Sequence, residues 1–145
     1  MKNAKWLFAI LILGTPCLLA QTDVCQRGVK TYVNINQTAN TQIITGTAGK
    51  KTYFCFVKIA PIGIATNIAI VEGTGATCAT NTISVSGVGG GSGTAATGDQ
   101  LMANEGMIMG TGEFSIGQAT VAGDNVCILQ SAANQLSGGL VWVQY

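Results

Sequence analysis

Of five cysteines, Cys17 falls in an amino-terminal segment expected to be removed, and the other four, Cys25, Cys55, Cys78 and Cys127, stand thirty, twenty-three and forty-nine residues apart in a chain that contains no histidine. Structural zinc sites take their ligands from close pairs such as C-x-x-C, usually completed by histidine, so this spacing does not describe one. A reactive thiol wants a cationic neighbour or a helix N-terminus. Cys78, set in the turn-forming stretch VEGTGATCATNT (71–82), has neither. An even set of widely spaced cysteines predicts two structural disulfides instead, with three connectivities open. Each would stabilise the fold by about 2–4 kcal/mol. A bridge at Cys78 would tie a mobile connection to a strand, and one at Cys25 would fasten the amino-terminal segment. Cys55 and Cys127 both fall within strand-like runs.

A disulfide framework implies an oxidising compartment, and the start of the chain agrees. A short basic segment, MKNAK, precedes the apolar run WLFAILIL (6–13), which is broken by Gly14, Thr15 and Pro16 before Ala20 and a polar Gln21. That is the pattern of a secretory signal peptide, with cleavage expected after Ala20. The run is well short of the roughly twenty apolar residues that span a bilayer, so no stable membrane span is expected. Residue Cys17, directly after Pro16, makes a poor lipoprotein signal. The expected organisation is a signal peptide, 1–20, and one domain, 21–145.

Removing Lys2 and Lys5 with the signal leaves five basic residues against six acidic ones. The only basic cluster is Lys50-Lys51, and phosphate recognition needs a positive face, so no nucleic-acid partner is expected. Thr, Asn, Gln and Ser take the place of charge, which describes a hydrogen-bonding rather than an ionic surface.

Nearly every element reads as strand. Residues 29–35 alternate at period two, 41–45 are β-branched, and KTYFCFVKIA (51–60) is the strongest run, expected to end at Pro61 because proline cannot donate to a ladder. Further strands are expected at 66–71, 82–86, 124–129 and 139–145, with a short one at 113–116. The glycine-rich stretch GVGGGSGTAATG (87–98) reads as a flexible loop in which nothing packs. Short strands, frequent glycine turns and no amphipathic helix predict an all-β fold, a single jelly-roll-like β-sandwich of about eight short antiparallel strands. An outer-membrane barrel is the weaker alternative, since its strands run about ten residues between aromatic girdles.

Enzyme signatures are sparse, and the expectation is a non-enzyme without a metal or other cofactor. Without histidine the commonest general base is missing. GGSGT (90–94) lacks both the final glycine and the partner of a serine nucleophile elbow. Asp99, Glu105 and Glu113 share one segment and would serve a hydrolase or a calcium site only if they converged. Met102, Met107 and Met109 read as core residues before they read as a binding patch. Trp142 alternates out of phase with Val141, Val143 and Tyr145, so it faces the other side of its sheet or solvent. Exposed there, it would suit sugar stacking. Trp142 and Asp99, the latter at the end of the glycine loop, are therefore the candidate ligand contacts.

The runs GKKTYFCFVKIA (49–60), VEGTGATCATNT (71–82), AGDNVCILQSAA (122–133) and SGGLVWVQY (137–145) together resemble a loose, largely uncharacterised group of small cysteine-containing β-sandwich proteins found in phage and bacterial sequences. In that group a G-K-x-x-Y-V-C strand precedes a G-T-G-x-x-C turn, and a G-N-x-L-C strand and a final G-G-x-x-x-Y strand follow. The resemblance covers most of 46–145. It implies a structural role at a virion-like or cell surface and carries over no catalytic residue. The expected function is thus a secreted structural or adhesive protein that associates with itself. The alternative is a secreted module binding a surface glycan or similar ligand.

Overall fold

The computed structural model describes residues 22–145, so the expected signal segment lies outside the described residues. One helical turn and ten strands follow in order: α1 (Val24–Arg27), β1 (Thr31–Gln37), β2 (Thr41–Ile44), β3 (Thr52–Ile62), β4 (Thr66–Thr74), β5 (Thr80–Ser84), β6 (Asp99–Leu101), β7 (Met107–Met109), β8 (Gly117–Gln118), β9 (Asn125–Gln130) and β10 (Gln135–Gln144). They divide into two antiparallel sheets. One runs β1-β10-β3-β7 with β8 also on β3, and the other runs β2-β9-β4-β5 with β6 also on β4. Partners nest in sequence, β1 with β10, β2 with β9, β3 with β7 and β4 with β5. A long antiparallel ribbon folded over in this way is a jelly roll. Two packed sheets, rather than one closed sheet, set aside the barrel alternative.

Alternation along the strands sorts three apolar layers. On β4, Ile68 and Ile70 join the main core between the sheets, while Ala69 and Val71 join a separate cluster on the outward face. On β10, Leu140 and Trp142 face the main core, whereas Val141 and Val143 pack outward against the Cys25–Cys55 bridge. Period-two side chains require this division once both faces of a strand are covered.

Strand β3 departs from strict alternation. Val141 pairs with Phe56 and Trp142 with Phe54, so β3 carries one extra residue. This β-bulge lets Phe54 and Val57 both enter the core while Cys55 points outward. Pro61 does not end the strand as expected, for β3 continues to Ile62 and Pro61 pairs with Leu136. The reason is its orientation. The carbonyl of Pro61 accepts from the N–H of Asn104, on the side away from β10. In an antiparallel strand a residue's N–H and C=O point to the same side, so the missing donor removes no bond to β10.

Two other expectations are corrected. Residues 113–116 form no strand, and the short pairing falls on β8 instead. The glycine-rich stretch does pack. Val88 is buried, the Gly89 carbonyl accepts from the N–H of Ile70 at 2.8 Å, and the Ser84 hydroxyl donates to the Gly90 carbonyl at 2.7 Å. A 3-10 turn, Ala95–Thr97, then leads into β6. Main-chain groups supply the contacts that side chains lack there, which composition alone does not show.

Candidate functional site

Both outward faces of the sandwich are held by a disulfide. Cys25 joins Cys55, fixing α1 over β3 and β10, and Cys78 joins Cys127, fixing the β4–β5 turn over β9. Among the three connectivities open from spacing, this is the one formed. Two disulfides fit an extracellular or otherwise oxidising compartment. No helix among the described residues is long and apolar enough to cross a membrane.

Asp23 caps α1 and anchors it as well. Its carboxylate accepts from the N–H of Cys25 and from both the N–H and hydroxyl of Ser115, each at 2.8 Å. Burial pushes its pKa upward, but these hydrogen bonds and the charge of Arg27 outweigh that, and the carboxyl lies below its ordinary value. Arg27 in turn stacks over the ring of Tyr145 at 5.7 Å.

Over the second disulfide lies an open groove of about 380 Å³ on the outward face of the β2-β9-β4-β5 sheet. Its floor includes Leu129 and Cys78, and its walls carry Asn40, Thr77, Thr82, Ser92 and Thr94. The glycine loop builds the wall that carries Ser92 and Thr94. Gly91 has a φ of +54° and stands so close to the Thr97 carbonyl that a Cβ there would collide with it. The Thr97 hydroxyl organises the turn, accepting the N–H of Ser92 at 3.0 Å and meeting the hydroxyls of Ser92 and Thr94. Every side chain named in the wall is uncharged and offers hydroxyl or amide groups, over an apolar floor. Such a surface can hydrogen-bond a neutral polyhydroxylated ligand.

The candidate contacts read from the sequence do not come together. Trp142 packs against the core between the sheets, and its indole N–H is buried without a hydrogen-bond partner. Only part of the ring reaches solvent, so it does not present an open stacking platform. Asp99 is exposed at the start of β6, its carboxylate beside Gly90, in a separate depression of about 440 Å³ that also touches Met109. Glu105 sits in the turn before β7, while Glu113 reaches Lys30 at 3.9 Å. Among the described residues no group of three or more His, Cys, Asp or Glu side chains is placed to hold a metal ion. Met107 and Met109 pack against the core as expected, but Met102 is exposed.

The carboxylate that the sequence reading passed over is Glu72. It is fully buried and accepts from the Thr120 N–H, the Thr120 hydroxyl and the Val121 N–H. Its charge also raises the pKa of Asp124, after the larger effect of that residue's own partial burial. The signal was present in the sequence, because Glu72 continues the inward phase of Ile68 and Ile70. Its three donors, two on Thr120 and one on Val121, lie in one loop, so the group clamps the segment before β9. Compared with known proteins, the chain matches no family model, no curated protein and no solved structure.

Proposed function

We propose that the protein is exported and works by contact rather than turnover, as a structural or adhesive β-sandwich at a cell or particle surface. The observation that carries this reading is the position of the cross-links. Each disulfide ties a connecting segment onto an outward face, so the covalent constraint rigidifies the exterior. Preorganising an exterior lowers the entropy lost when that surface binds. The non-ionic character of the chain suits contact through hydrogen bonds and apolar side chains.

Fractionation of cells producing the full chain tests this. Oxidised protein, free of thiols, associated with the envelope or with released particles is the expected result. Reduced protein confined to the cytoplasm would overturn it.

A second reading, a secreted glycan-binding module, is favoured by the hydroxyl-lined groove over Leu129. It expects saturable binding on a glycan array that Thr94→Arg abolishes by filling the groove. Binding that survives this substitution would place the ligand elsewhere.

A further inference from the structure

Strand β1 forms an edge of its sheet, paired on one side only, with β10. The direction of its free main-chain groups follows from Pro61. Because Pro61 turns its polar groups away from β10, its partner Leu136 turns its own toward β1, where it pairs with Gln37. The reciprocal bonds between Tyr145 and Lys51 give the same phase at the far end of β10. Alternation then assigns Thr31, Val33, Ile35 and Gln37 to bonds with β10. Tyr32, Asn34 and Asn36 are left with N–H and C=O groups directed outward, and none of these has another main-chain partner among the described residues.

Natural sheets blunt such edges with charge, proline, bulges or very short strands. The other edges here are blunted. β2 has four residues and a register shift, β5 has five and a shift, β6 and β7 have three each, and β8 has two. β1 has seven residues, TYVNINQ, without charge, proline or any shift in register. Its outward side chains are exposed too, with Tyr32 at 74%.

We infer that the β1 edge is a self-pairing surface whose partner is a second copy of this chain, laid antiparallel across a two-fold axis at Asn34. The inference rests on the contact reading above and names its partner. Self-complementarity favours a second copy over an unrelated strand. About that axis Asn34 faces Asn34 of the second copy, and Tyr32 faces its Asn36. These are the residues with outward polar groups, so about six main-chain hydrogen bonds close. On the inner side, half-buried Val33 meets the second copy's Ile35, extending the apolar layer between the sheets. The Asn36 side chain is already engaged by Gln135 at 2.6 Å, which leaves its main chain free for the partner. No charged side chain lies on the paired strands, so no like-charge repulsion arises between them.

Charge placed at the axis tests the register. Asn34 is exposed and its N–H and C=O are not used by β10, so substitutions there should leave the monomer's melting temperature, read at high dilution, unchanged. The oxidised full chain, studied by sedimentation velocity from micromolar to millimolar concentration, is expected to dimerise. Asn34→Lys and Asn34→Glu, each alone, set like charges face to face and are expected to weaken the dimer by at least about tenfold. Mixing the two variants should restore a dimer of one copy of each. A dimer indifferent to both substitutions would overturn the β1 assignment while leaving the contact reading standing through another surface. A wild-type monomer at every concentration would also overturn it, and the fractionation experiment then judges the contact reading separately.

Discussion

Glu72 Oε1 accepts two hydrogen bonds from Thr120, one from the main-chain N–H and one from the hydroxyl, each at 2.7 Å. Its other oxygen accepts the N–H of Val121 at 2.8 Å. A carboxylate with no exposure is tolerable only because its acceptor sites are filled in this way. Glu72→Gln keeps the shape but turns one acceptor into a donor facing another donor. Hydrogen bonds to a charged group contribute about 1.5–3 kcal/mol each, so the variant should lose about that much in a denaturant titration. Equal midpoints for the two proteins would show that the clamp contributes nothing.

The period-two phase of Ile68 and Ile70 was legible in the sequence, and with it the jelly-roll class, the two disulfides and most strands. What donates to Glu72 was not, because Thr120 and Val121 lie forty-eight and forty-nine residues away in an irregular segment. The same limit hid the bulge in β3, the packing of Val88 and the inward direction of Trp142. Each depends on a neighbour from a distant strand or on main-chain geometry rather than on composition. The groove over Leu129 was illegible for the same reason, since it gathers three separate connections and one wall comes from glycine turns that carry no side-chain pattern.

Asp23 and Asp124 should give opposite pH signatures. Asp23 has a folded pKa below its ordinary 3.8, so its contribution is present above that value and is lost as pH falls through the lower folded one. Asp124 has a folded pKa above 3.8, so it favours the folded state fully only below 3.8 and loses that as pH rises through the folded value. Asp124→Asn should therefore stabilise modestly at neutral pH, by up to about 0.5 kcal/mol, and give no gain at strongly acid pH. Asp23→Asn should instead destabilise at neutral pH, with the difference shrinking in acid. Thermal melts across that range read both, and parallel shifts for the two variants would contradict the assignment.

Trp142 is the only tryptophan among residues 22–145, so intrinsic fluorescence reports it alone. Packed on the core and partly buried, it should emit at shorter wavelength and be quenched more slowly in the native protein than in the unfolded one. Trp142→Ala should cost about 2–4 kcal/mol, below the usual range of roughly 3–5 for a fully buried ring because this one is only partly buried. Trp142→Phe should cost much less, because it also removes the buried indole N–H that has no partner. Quenching as ready in the native state as in the unfolded one would show the ring to be on the surface after all.

Cys78 takes a φ of +52°, in the left-handed region that side chains other than glycine occupy at a cost. Its N–H donates to the Gly75 carbonyl at 3.1 Å and its own carbonyl accepts the Thr82 hydroxyl, so the turn holds this conformation and the bridge to Cys127 locks it over the sheet. Removing the bridge as Cys78→Ala with Cys127→Ala should cost about 2–5 kcal/mol. Cys78→Gly with Cys127→Ala should lose less, by roughly 0.5–1 kcal/mol, because glycine enters the left-handed region freely even though it adds freedom to the unfolded chain. Removing the other bridge, between Cys25 and Cys55, should act more locally, since it fastens a single helical turn. Hydrogen exchange should then quicken around α1 while β4 and β9 keep their protection. Faster exchange throughout both sheets would mean that the amino-terminal bridge supports the whole sandwich.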